Sequence, residues 1–166
     1  NLKNATSSLV IPSTQQPATY TISTSTKSIN EGQSFTTIVN TTNVLQGTKV
    51  YWAISGNGIT EQDFEPIPQP AIYPPPPARY NLKGSGLVDK NGIYKIPHSR
   101  IANDRKTEGT ETLNIKLFSD SSRRYQIGNT ATVNVNDTSK ANTYSISTST
   151  RNVNEGSGFY TYFTPS

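Results

Sequence analysis

Three acidic residues stand four and then three positions apart in Asp104-Arg-Lys-Thr-Glu108-Gly-Thr-Glu111. Glu31 sits in Asn30-Glu-Gly32, Asp63 in Gln62-Asp-Phe64, and Asp137 in Val135-Asn-Asp-Thr138. The chain has 11 acidic residues, so six of them at the ends of apolar runs is a strong placement. Carboxylates brought to one point repel one another unless a hard cation neutralises them. Calcium takes roughly six to eight oxygen ligands from carboxylates, carbonyls and water, and needs neither His nor Cys. The chain has no Cys at all, which excludes a disulfide scaffold, a thiolate metal site and a cysteine nucleophile.

Other chemistry is poorly supplied. His98 is the single histidine, placed after Pro97 in a strand-like run, and no Gly-x-Ser-x-Gly elbow accompanies it. Glu108 and Glu111 could imitate a glycosidase pair, but no stripe of exposed aromatics goes with them. Trp52 lies in the apolar alternation Val50, Trp52, Ile54 and reads as core. No catalytic residue and no enzymatic activity are expected. The net charge is +4 with a pI near 9.3, yet the basic residues are scattered along the chain, among them Lys83, Lys90, Lys95 and Arg100, with adjacent pairs at Arg105-Lys106 and Arg123-Arg124. That distribution reads as a solvated basic face, so no nucleic-acid partner is expected. No apolar run is long enough to cross a membrane as a helix. Three glycosylation sequons, at Asn4, Asn40 and Asn136, are of a kind that arises readily by chance in a Thr-rich chain.

The elements that must position the acids are strands. Of 166 residues, 31% are hydrophobic and 16% charged, while Thr, Ser and Asn number 23, 19 and 16. Those three residue types compete with helical backbone through their own hydrogen bonds. Period-2 alternation recurs at Tyr20 and Ile22, at Phe35, Thr37 and Val39, at Val50, Trp52 and Ile54, at Leu113, Ile115 and Leu117, and at Val133 and Val135. About seven such runs with Gly and Asn punctuation predict an all-β, immunoglobulin-like antiparallel Greek-key sandwich. Asn91-Gly92, between Val88 and Ile93, reads as a two-residue hairpin turn.

The chain also repeats itself. Residues 20–37 recur at 144–161, with an offset of 124 and 11 identities in 18 positions. The predicted organisation is a linker or extended arm at 1–17, a sandwich module at 18–139, and the start of a second repeat at 140–166, either an incomplete module or strands that pair with another chain. With no Met at Asn1 and no signal pattern, the chain reads as a processed product or an excerpt. Residues 65–79 hold seven prolines, ending in Pro74-Pro-Pro-Pro77, and read as a stiff insertion. It is either a spacer or a projecting docking element for a glycan or host partner, with Ile72, Tyr73 and Tyr80 as its apolar contacts.

Glu-Gly in the early loop, Asp-Phe mid-chain, Asp-x3-Glu-x2-Glu and a closing Asn-Asp resemble the Calx-beta domain over residues 18–139. The runs Tyr-x-Ile-Ser-Thr-Ser and Ile-Ala-Asn-Asp are similar to repeats of large cyanobacterial surface proteins and cyanophage structural proteins. The resemblance implies a calcium ion at one tip of the sandwich. By position its ligands are Glu31, Asp63, Asp104, Glu108, Glu111 and Asp137, with the Lys106 carbonyl as a backbone ligand. The implied affinity is weak, on the order of 10⁻⁴–10⁻³ M. The alternative is a degenerate tip in which Arg105 or Lys106 supplies the counter-charge. The implied role is a non-enzymatic structural or adhesion module of a larger repetitive protein, extracellular, on a cell surface or in a virion. Its partners would be neighbouring repeats, a second copy, or other assembly components.

Overall fold

The computed structural model describes residues 16–66 and 80–165. Residues 1–15 of the expected arm at 1–17, residues 67–79 of the proline-rich segment and two expected contacts, Ile72 and Tyr73, lie outside the described residues.

Ten strands follow one another: β1 (Thr19–Thr24), β2 (Ser28–Asn30), β3 (Thr36–Thr42), β4 (Lys49–Ser55), β5 (Lys83–Leu87), β6 (Ile93–Pro97), β7 (Glu111–Phe118), β8 (Gln126–Asn136), β9 (Tyr144–Thr148) and β10 (Thr161–Pro165). Among the described residues these ten strands are interrupted by one 3-10 turn, Glu61–Asp63. One sheet has the order β1-β3-β6 and a second the order β2-β8-β7-β4-β5. That order is the Greek-key order of an immunoglobulin-like sandwich, in which β6 returns beside β3 and β7 beside β4. The first strand is split between the sheets. β1 pairs antiparallel with β3, whereas β2 pairs parallel with β8. The chain changes sheets between the two without reversing direction, so its second half meets β8 running the same way. Among the described residues the sandwich is thus antiparallel except at this pair.

The expected stripes face each other across the interior. Val50, Trp52 and Ile54 of β4 lie beside Leu113, Ile115 and Leu117 of β7, with Trp52 opposite Leu117 and Ile54 opposite Ile115. Ile22 of β1 and Val39 of β3 are register partners and cover them from the other sheet. Alternation makes this automatic, since every second side chain of a strand points to the same face. Leu113, Ile115 and Leu117 are fully buried.

Two local expectations are corrected. Asn91-Gly92 does form a tight turn, in which the Asp89 carboxylate accepts from the Asn91 and Ile93 amides, each at 2.8 Å. However, β5 pairs with β4 and β6 with β3, so the turn carries the chain from one sheet to the other and no hairpin forms. Tyr80 is the second correction: it does not project as a docking contact. Its ring stacks on Phe64 with centroids 4.2 Å apart, and its hydroxyl bonds to His98 Nδ1 at 2.7 Å. An aromatic residue next to a polar, proline-rich segment is buried when a ring and a hydrogen-bond partner both await it.

His98 is the centre of that arrangement. Its Nε2 bonds to Thr37 Oγ1 at 2.8 Å, its ring stacks on Phe35, and Trp52 meets it edge-on. The imidazole is 5% exposed, so both ring nitrogens and both hydroxyls are satisfied away from water. Burial lowers its pKa from 6.5 to about 4. The folded chain therefore disfavours the protonated form that the unfolded chain adopts first. Its contribution to stability is complete above about pH 6.5 and is lost as pH falls through about 4, on the order of 3 kcal/mol. We expect the urea midpoint to fall further between pH 7 and pH 4 in the natural chain than in His98→Gln. Equal falls in both proteins would refute this.

Candidate metal centre

One end of the sandwich collects the acids, and the strand directions explain why. β2 and β8 run parallel and stop together, Asn30 opposite Asn136, so Glu31 and Asp137 emerge side by side. β7 runs the other way and begins there, Glu111 opposite Val135. β6 ends there too, Pro97 opposite Thr36.

Backbone bonds then tie the loops into one surface. Gly32 donates to the Ile101 carbonyl and Ile101 donates to that of Gln33, both near 2.9 Å. Ala102 donates to the Asp63 carbonyl, and Phe64 forms a bridge with Ile101. The stretch Ile101–Ala102 is therefore clamped between the Glu31 loop and the 3-10 turn. Glu31, Asp63, Asp104, Glu108 and Glu111 line the resulting pocket over a floor of Ile101, Ala102 and Val135.

Each carboxylate is held by its neighbours. Glu31 Oε2 accepts from the Thr138 and Ser139 amides at 3.2 and 2.6 Å. Asp63 closes a capping box on Thr60, accepting from its amide and its hydroxyl. Asp104 Oδ1 accepts from the Lys106 amide at 3.0 Å, and its Oδ2 pairs with the Lys106 ammonium. Glu111 packs against Gly58, where φ is +81° and an added Cβ would stand 2.8 Å from Oε1. The capping motif Thr60-Glu-Gln-Asp63 and the approach at Gly58 are functional details that sequence reading missed. The first carries a legible signal, a Thr with an acid three residues on. The second is set by packing alone.

The electrostatics follow from the crowding. Glu111 is pushed up to about 6, first by burial and then by the charges of Asp63, Glu108, Glu31 and Asp104. Glu108 is raised by burial and by Asp104, with Lys106 acting against both. Asp104 is held low, chiefly by its hydrogen bond from the Lys106 side chain.

Five of the six expected carboxylates come together. Glu31, Asp104 and Glu108 each offer an oxygen within 4.8 Å of the others, and Asp63, Glu108 and Glu111 do the same. Glu108 is common to both groups. Asp137 belongs to neither. Its Oδ2 accepts from the Glu108 and Gly109 amides, each at 3.0 Å, and so positions the Glu108 loop. Its other oxygen, Oδ1, is buried without a partner among the described residues. Lys106 enters through its ammonium, paired with Asp104 and 3.8 Å from Glu108 Oε1, so its side chain supplies the counter-charge. Arg105 adopts φ of 61°, and its amide donates to Ser139 Oγ at 3.2 Å.

This donor set fits calcium. It is all oxygen, it is crowded enough to raise two of its own pKa values, and it draws on several separate loops.

No family model matches the chain, and no curated protein matches it. Among solved structures it is similar to the ASH / PapD-like domain of human CEP192 (PapD-like domain 7), at 18% identity and a TM-score of 0.33. The alignment covers 82% of this chain and 97% of that one. The immunoglobulin-like assignment rests on the strand order described above.

The raised Glu111 has a signed consequence in metal-free buffer. Its folded-state pKa of about 6 lies above the unfolded 4.5, so protonation favours the fold as pH falls through that window. Glu111→Gln is expected to raise the melting temperature at pH 7 without calcium. It should also flatten the pH dependence between 6 and 4.5 relative to the natural chain. A lower melting temperature for the variant at pH 7 would contradict this account.

Proposed function

We propose that the chain is a non-enzymatic, Calx-beta-like module of a larger repetitive surface or virion protein, stabilised by calcium at the acidic tip. The observation that carries this reading is the pair of three-carboxylate groups sharing Glu108, with their oxygens within 4.8 Å of one another. They come from segments that only the folded chain brings together, so an ion bound there favours the folded state alone. Such binding stabilises by RT ln(1 + [L]/Kd), roughly 1–2 kcal/mol when calcium exceeds Kd about tenfold. The ion would take over the charge neutralisation that Lys106 supplies. Lys106 competes with it for Asp104 and Glu108, which keeps affinity in the weak range of extracellular modules. Millimolar calcium is an extracellular condition, and a role at a cell surface or in a virion suits a site of that strength.

The mechanical role follows from what Glu31 holds. Thr138 and Ser139 begin the connection to β9, and both donate to the Glu31 carboxylate. An ion on Glu31 would stiffen that connection and so the spacing between repeats.

Calorimetric titration and thermal melting decide the matter. Calcium at about 10 mM, tenfold above the weak end of the range, should raise the melting temperature by a few degrees, with magnesium much less effective. Glu108→Gln should abolish the effect, and Lys106→Ala should tighten binding. No heat and no melting shift in the natural chain would sink the proposal.

A further inference from the structure

The second copy of the repeated sequence is a structural duplicate of part of the first. Ile146 pairs with Phe163 as Ile22 pairs with Val39, each residue displaced by the same 124 positions. The bend after the first strand is reproduced as well. Thr148 Oγ1 donates to the Thr150 carbonyl as Thr24 Oγ1 does to that of Thr26, and Tyr160 N donates to Ser149 Oγ as Thr36 N does to Ser25 Oγ. Gly156 takes φ of 82° where Gly32 takes 77°.

What differs is the cover. Ile22 and Val39 are 3% and 0% exposed, whereas Ile146 and Phe163 are 66% and 69% exposed. Phe159 and Val153, the counterparts of buried Phe35 and Ile29, are exposed too. Among the described residues β9 and β10 pair only with each other. A two-stranded hairpin with one bare apolar face is marginal on its own.

We infer that this face is an interaction surface for a second sheet of the β2-β8-β7-β4-β5 kind, supplied in the same polypeptide by strands entering from the end of β10. The inference rests on the tandem-module reading and names the chemistry of the contact. The first module shows what such a face takes: apolar residues at alternate positions, as in Val50, Trp52 and Ile54 or Leu113, Ile115 and Leu117. The route is also visible there, since β3 crosses to β4 through residues 43–48.

The test extends the full chain after Ser166 with its own residues 43–139, and follows amide hydrogen exchange. In the 166-residue chain the β9 and β10 amides should exchange quickly and Ile146→Asp should leave the melting temperature unchanged. In the extended chain those amides should gain protection on the order of a hundredfold or more, and Ile146→Asp should remove it. Phe163 is larger than Val39, so Phe163→Val is made in parallel and should show the same gain. Unprotected hairpin amides in both extended proteins would overturn the inference. Self-association of the 166-residue chain that Ile146→Asp abolishes would overturn it as well, by making a second copy the occupant. The calcium response of the first module, read in the same samples, stands or falls separately.

Discussion

The first strand belongs to both sheets, and the site depends on that. Ile22 of β1 and Ile29 of β2 are both buried, yet they hang from opposite walls of the sandwich. Because the chain crosses without turning, β2 must lie parallel to β8, and two parallel strands finish at the same end. Everything that follows either strand is then delivered to one tip: Glu31 after β2, and Asp137 to Ser139 after β8. The antiparallel order of the other strands brings the start of β7 and the end of β6 to the same place. The clustering of carboxylates at one tip thus emerges from strand direction.

The tip is a compromise between carboxylate repulsion and the groups that offset it. Clustered carboxylates disfavour the folded state, as the raised Glu108 and Glu111 register. Several devices make the cluster tolerable. Backbone amides hold Glu31 and Asp137, a capping box holds Asp63, and Lys106 leans across Asp104 and Glu108. Among the described residues none of these devices is bonded to Glu111, which burial and the neighbouring carboxylates push up to about 6. Lys106 is more than half exposed, so its charge is well screened and easily displaced.

A low hydrophobic content has left its mark on the interior as well. Thr37 and His98 are buried with the aliphatic and aromatic residues, and they are bonded to one another and to Tyr80. Such a polar chain is stable only when every member is satisfied. It also holds Tyr80, the residue after the proline-rich stretch, in the interior. Phe64, which precedes that stretch, stacks on Tyr80.

The sequence by itself determined the strand stripes and their inward faces, because alternation is a local property and each strand displays its own. It also marked the acids at strand ends as a cluster, since there were few acids to place and the turns between strands meet at sandwich ends. The repeat was legible for the same reason: identity at a fixed offset needs no structure. Only the tertiary structure decided which strand lies beside which. Period-2 alternation names a face and never a neighbour, so the parallel β2–β8 pair and the passage of Asn91-Gly92 between sheets were invisible. Nor could it assign roles within the acidic group. Asp137 became a support for the Glu108 loop because two amides point at it, and Lys106 entered by its ammonium because two carboxylates lie within its reach. A carboxylate's function is set by the groups that surround it in space, and those come from segments far apart in the chain.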